Sequence, residues 1–295
     1  IAQFHKSVDY GQTFTVFDAG WFLPEGGDLG QIENLGGDLA VTEADPNRVY
    51  ALLVGYGNAN TTLQPNGFIG VYVSYDAGET WSLPHGIIGA PYTPPNHPNL
   101  MNFTGDDGTY TQIHYNTTLA ASQLDPDHIL IGGLCLYKSE DAGATFTAMA
   151  GYVGYVPHVH VDMQEIRTYK TSDITEELWL SNDGGIHHST DLMEHHEARN
   201  RGIHGGSWWY FDQGWNEDMM VGGRYHNGNA AFHENYPEKT FLALGGGEAG
   251  TGYLNYSGEQ KAYFSDIGGR YLPDSIHLPV GYFSMSAAPN ESYWA

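Results

Sequence analysis

Ser74-Tyr75-Asp76-Ala77-Gly78-Glu79-Thr80-Trp81 decides the fold, because its pattern S-x-D-x-G-x-T-(F/W) recurs. Copies stand at Ser7 to Phe14, Ser74 to Trp81 and Ser139 to Phe146, and such self-similarity marks a repeat architecture. A degenerate fourth copy is expected at Ser181-Asn182-Asp183-Gly184-Gly185, with a further remnant at Ser265 to Gly268. The pattern predicts a hairpin turn in which the aspartate accepts backbone N–H bonds and the glycine takes a positive φ. Asp9, Asp76, Asp141 and Asp183 are therefore assigned structural roles, and Phe14, Trp81 and Phe146 are expected to plug the turns from beneath.

A second repeat lies outward of the turn. Leu39 to Tyr50 matches Leu119 to Leu130, each reading strand, Asp-Pro turn, strand. Third strands follow at Gly70 to Ser74 and Leu134 to Ser139, so the repeating unit is a four-stranded meander. The predicted fold class is all-β, a β-propeller of about six or seven such blades in a single domain, 1–295. The expected divisions are a partial blade at 1–18, blades at about 37–86, 110–151, 159–204, 205–238 and 239–279, and an opening blade at 280–295. Residues 87–108, with Pro91, Pro94, Pro95 and Pro98, are too long and proline-rich for a blade turn and predict a surface insertion. The opening Ile1-Ala2-Gln3-Phe4 has no signal-peptide character, which suggests a processed or excised chain, and the whole fits part or all of a larger secreted polypeptide or assembly.

Composition narrows the function classes. With 39 glycines and 14 prolines in 295 residues, short strands are favoured over long helices. Lys and Arg total 11 against 35 Asp and Glu, a formal charge of −24, which repels phosphate backbones and argues against a nucleic-acid partner. No apolar run approaches the roughly 18 residues of a membrane span. The single cysteine, Cys135, sits in the apolar run Ile129 to Leu136, where a buried thiol is expected.

The repeated turn resembles the Asp-box (BNR) superfamily, which includes sialidases, sortilin-like domains, xyloglucanase-type glycosidases and secreted propellers of Bacteroidetes. Downstream, His160-Val161-Asp162, Asn182-Asp183-Gly184-Gly185-Ile186, Gly222 to Gly228 and Gly245-Gly246-Gly247-Glu248 are similar to the sortilin-like secreted propellers. The sequence departs from that pattern at Gln164, at Tyr225-His226 and at Glu248. The resemblance implies an extracellular or cell-surface location. The sialidase arginine motif is absent, and the paired aspartates of the xyloglucanase type are not found.

Several residues could carry chemistry. In a strand, His158, His160 and Asp162 would share one face, where they would either hold a divalent metal or line a hydrated channel. A metal is the one cofactor this pattern admits. Asp162 and Glu248 are the best pair of carboxyls for glycoside hydrolysis, which requires a separation of about 5 Å for retention or roughly 6.5–9.5 Å for inversion. Ligand-binding candidates are His158, His160 and His226, with Trp208 and Trp209 as stacking platforms; alternation along Trp208 to Phe211 predicts that one pair packs between blades. His187, His188, His195 and His196 form a second, less specific cluster. Asn60, Asn102, Asn116, Asn255 and Asn290 head N-x-(S/T) triplets.

The leading expectation is a non-catalytic extracellular or cell-surface module that binds a protein or polysaccharide. The alternatives are a glycoside hydrolase using Asp162 and Glu248, and a structural subunit of a surface assembly.

Overall fold

The computed structural model describes residues 3–20, 32–57, 66–84, 99–102, 111–151, 159–201, 208–224, 228–237, 240–246, 252–255, 260–273 and 282–284. All regular elements among them are β-strands. The chain divides into two compact units, Ile1–Arg199 and Asn200–Ala295.

The first unit begins with a hairpin of β1 (Phe4–Lys6) and β2 (Thr15–Phe17). A three-stranded meander follows, β3 (Ile32–Thr42), β4 (Asp45–Gly57) and β5 (Asn66–Ser74), with Ser82 bridging back to Val73. Next come two four-stranded antiparallel meanders: β6 (Thr118–Ala121), β7 (Ile129–Gly132), β8 (Leu136–Ser139) and β9 (Thr147–Ala150), then β10 (Met163–Ser172), β11 (Thr175–Asn182), β12 (Gly185–Ser189) and β13 (Glu197–Ala198). The first strands of successive sheets are neighbours, β3 beside β6 and β6 beside β10, and the sheets pack face to face. This is blade packing, and the fold class is all-β, of the propeller type.

The strand sequences follow from that packing. Successive side chains point to opposite faces of a sheet. Ile129 and Ile131 of β7 join a core with Leu52, Val71 and Leu119, whereas Leu130 between them joins another with Leu136, Leu178 and Met193. Because both faces are covered, β7 reads as an unbroken apolar run rather than as an alternation. Cys135 is fully buried in the first core. Residues 99–102, the described part of the proline-rich insertion, are buried rather than on the surface: Leu100 and Met101 enter the same core, and the Asn99 Oδ1 accepts the N–H of Phe68 and of Met101, both at 3.2 Å.

The repeated turns share one hydrogen-bond pattern. In the copy after β5, the Ser74 hydroxyl donates to Asp76 Oδ1 at 2.8 Å and accepts the Gly78 N–H at 2.8 Å. The Thr80 N–H and hydroxyl donate to the two carboxylate oxygens at 2.8 and 2.6 Å. Asp9 with Ser7 and Thr13, and Asp141 with Ser139 and Thr145, repeat this geometry. The plugs differ: Trp81 is buried and Phe146 half-buried, but Phe14 is 60% exposed.

The fourth copy is displaced from its expected place, which corrects the assignment of Asp183. It is Ser189-Thr190-Asp191-Leu192-Met193-Glu194-His195-His196, between β12 and β13. Ser189 donates to Asp191 at 2.9 Å, and the His195 N–H and Nδ1 meet the two Asp191 oxygens at 2.9 and 2.7 Å, where the other copies use threonine. Met193 holds φ +70° where Gly11, Gly78 and Gly143 stand in the other copies. A left-handed non-glycine residue costs roughly 1–2 kcal/mol, and Met193 offsets that by burying its whole side chain in the core between the second and third blades.

Polar ties join the blades at this same end. Arg48, near the start of β4, donates to Asp127 at 2.6 Å and Tyr50 at 2.9 Å and lies over the Tyr75 ring at 4.2 Å. Buried Glu176 accepts from the Ser122 hydroxyl and the Gln123 N–H, each at 2.6 Å, tying the second blade to the third.

The second unit contains β14 (Trp208–Gln213), β15 (Met219–Arg224), β16 (Gly228–His233) and β17 (Thr240–Gly245), followed by a separate meander of β18 (Gly252–Leu254), β19 (Lys261–Phe264) and β20 (Gly268–Tyr271). Leu254, Ala262 and Phe264 pack with Met219, Val221 and Leu242. Two expected boundaries move. β17 completes the preceding sheet instead of opening the next blade, and β21 (Tyr282–Ser284) pairs with β17 as a fifth strand rather than beginning another.

Burial gives the first test. Ile131→Ala leaves a cavity in a fully buried strand and is expected to cost about 2–5 kcal/mol in urea unfolding, whereas Ile174→Ala in the exposed β10–β11 turn changes stability by less than about 0.5 kcal/mol. The turns give a second. Hydrogen bonds from the Thr80 hydroxyl and N–H hold the Asp76 carboxyl at about 2, below the ordinary 3.8. Its stabilising contribution is therefore complete above about pH 4 and lost as pH falls towards 2. Asp76→Asn should lower Tm at pH 6, and the gap to the wild type should narrow over that window.

Candidate functional site

The repeated turns and the turns between first and second strands occupy one end of the blades, because the Ala77 N–H donates to Asn47 O and the Ala142 N–H to Asp127 O. The opposite end of the second and third blades carries the candidate site. There the chain entering β10 runs along the β7–β8 turn, with the Asp162 N–H donating to Leu134 O at 3.2 Å and the Met163 N–H to Gly133 O at 2.8 Å. Asp162 takes φ +67°, a conformation that aspartate tolerates better than most residues. It precedes β10 rather than lying within it, so the expected strand alternation of His158, His160 and Asp162 does not hold.

Asp162 is 1% exposed and belongs to a chain of amides and carboxylates. The Asn116 Nδ2 donates to Asp162 Oδ1 at 3.2 Å and to Gln112 Oε1 at 2.9 Å. Gln164 Nε2 donates to Asn116 Oδ1 at 3.0 Å and to Asp183 Oδ1 at 2.9 Å. The two Nδ2 hydrogens of Asn116 and its carbonyl oxygen are thus all engaged, which fixes Asp162 and Gln164 relative to one another. Gln112, Gln164 and Asp183 remain half-exposed, and exposed Tyr115 donates its hydroxyl to Gln112 while its ring meets His114 edge-on at 4.5 Å.

His160 closes one side. Its carbonyl accepts the Asn182 Nδ2 at 2.7 Å, and a Cβ on Gly184 would approach its own Cβ to 2.4 Å, so only glycine fits there. The expected residues are thus partly gathered. His160, Asp162 and Asp183 meet at this end, while His158, His226 and Glu248 lie outside the described residues. Among the described residues no three His, Cys, Asp or Glu side chains converge as metal ligands.

In the second unit Trp208 rests on Gly222 and 5.9 Å from the Phe241 ring. A register shift between Trp208 and Tyr210 breaks the alternation, leaving Trp209, Tyr210 and Phe211 all exposed, not one pair buried. Gln112, Asn116 and Gln164 were not foreseen as site residues. Asn116 stood out only for its N-x-T triplet, yet it and Asn102 are fully buried and inaccessible to glycosylation.

No protein-family model and no curated protein matches the chain. Among solved structures it is similar to a GH74 xyloglucanase from Xanthomonas campestris, at 14% identity over 92% of this chain and 42% of that one, with a TM-score of 0.40. It is also similar to YCF48 bound to D1 peptide, at 12% identity over 82% of this chain and 67% of that one, with a TM-score of 0.32. A third likeness is to the β-propeller domain of Cps50 (Swd1) from Myceliophteria thermophila, at 12% identity over 80% and 83%, with a TM-score of 0.27. The chain spans less than half the length of the xyloglucanase. Similarity at this level says nothing of activity.

Next to this site stands a histidine the polar network does not use. His187 on β12 is fully buried, its ring 5.1 Å from that of His196, which occupies the plug position of the fourth turn. Burial holds its pKa at about 4, well below 6.5, with His196 and His160 adding to the shift. The unfolded chain binds this proton more readily, so stability is full above about pH 6.5 and declines as pH falls towards 4. An NMR titration, assigned with His187→Leu, is expected to show a midpoint near 4; a midpoint near 6.5 would mean that the ring reaches water.

Proposed function

We propose that the chain is a non-catalytic binding module, extracellular or on the cell surface, whose ligand is a polar glycan or protein segment docking on the Gln112–Asn116–Asp162–Gln164–Asp183 network. The observation that carries this reading is the burial of Asp162. A general acid or nucleophile must touch its substrate, whereas this carboxylate is enclosed and held by Asn116. Its support stiffens the half-exposed Gln112, Gln164 and Asp183, which offer amide and carboxylate groups beside the aromatic edge of Tyr115 and His114. A hydrogen-bonding surface flanked by an aromatic ring suits sugars and polar peptides alike, and it is pre-organised, which lowers the ordering cost of binding. The location rests on the resemblance of the repeated turn to secreted propellers.

The test is affinity electrophoresis in gels containing soluble β-glucans, run beside a reducing-sugar assay on the same polysaccharides. Retardation without release of reducing ends is expected, and Tyr115→Ala together with Gln164→Ala should weaken it about tenfold, or 1.4 kcal/mol. If glycans do not retard the protein, loss of a co-purified partner in the same variants would place a protein at this site. Release of reducing ends that Asp162→Asn abolishes would instead establish the hydrolase.

A further inference from the structure

The other end of the second blade holds a groove of about 760 Å³ lined by Lys138, Glu140, Asp141, Thr145, Thr147 and Glu194, with Ala148 and Met149 of β9 along one side. That volume falls within the roughly 300–1,000 Å³ of ligand clefts. The groove lies between the outer strand of the second blade and the fourth turn, which contributes Glu194. β9 is an edge strand: it pairs with β8, and among the described residues no strand covers its other side.

Charge and geometry point to one kind of occupant. Three carboxylates and one ammonium line the groove. Lys138 is already engaged by Glu140 at 2.9 Å and by Glu194, so the surplus charge is negative. Glu140 and Glu194 are both more than half exposed and keep oxygen atoms available to an incoming cation. The chain also shows that such an edge can be filled. In the second unit β17, the fourth strand of its sheet, accepts β21 as a fifth antiparallel strand, with Thr240 opposite Ser284 and Leu242 opposite Tyr282.

We propose that the outer edge of β9 and this groove form a second binding site, which takes an extended basic segment of a partner protein as a fifth strand, its lysine or arginine side chains meeting Glu140 and Glu194. Strand addition supplies affinity through main-chain hydrogen bonds, and the alternate side chains supply selectivity through the groove. The site is at the opposite end of the blade from the Asp162 network and does not depend on that network's ligand.

The experiment titrates the whole chain with a labelled, acetylated and amidated peptide in which valine alternates with arginine, read by fluorescence anisotropy. Saturable binding is expected, weakened at least about tenfold by Glu140→Lys or by Glu194→Lys, and unchanged by Asp173→Lys on the fully exposed β10–β11 turn. Of two peptides N-methylated on the two opposite sets of alternate amides, one should fail to bind, because only one set donates to the β9 edge. Binding that survives whichever set is N-methylated would be charge attraction alone and would overturn the proposal. So would binding that is blocked by N-methylation but indifferent to both groove variants, which would place the peptide on another edge, and so would no binding.

Discussion

The second blade of the first unit buries both of its faces between its neighbours, and most of the sequence there answers to that requirement. Ile129, Leu130 and Ile131 are consecutive, yet they belong to two cores, one on each side of a single sheet. An isolated meander of this size could cover neither face, so the fold is stable only as a stack. Polar groups at the ends are subordinate to the same packing. Arg48 and Glu176 each reach across to the neighbouring blade, and both are themselves buried by it.

The repeated turn shows which parts of a motif are chemistry and which are convenience. Ser and Asp persist in all four copies because they are the hub of the hydrogen bonds. The glycine and the threonine are replaceable when something else does their work. Met193 takes the left-handed backbone because its side chain is anchored in the core, and His195 supplies an N–H where threonine supplies a hydroxyl. The displaced copy also frees Asp183, which serves the polar network at the far end of the blade instead.

That network makes the meaning of Asp162 depend on its surroundings. An aspartate beside a histidine in a glycine-rich segment suggests catalysis or metal binding. Enclosed, and held through Asn116 to Gln112 and Gln164, it becomes a support for the residues around it. The two ends of the blades thus differ in kind: one is built of turns and ion pairs around an open strand edge, the other of amides over a buried carboxylate.

The sequence alone determined the all-β class, the meander repeat, the order of strands in the first unit and the turn chemistry of Asp9, Asp76 and Asp141, because these follow from local hydrogen bonding and from side-chain period. It could not locate the fourth turn, whose glycine and threonine are replaced by residues that only burial and a new hydrogen bond make suitable. It missed Asn116 and Gln164 as site residues, since an amide becomes part of a site only when distant segments meet, here residues 112, 116, 162, 164 and 183. The exposure of Trp209 and Phe211, the burial of Leu100 and Met101 and the pairing of β21 with β17 were likewise decided by tertiary structure, because each depends on what packs against the strand and not on the strand itself.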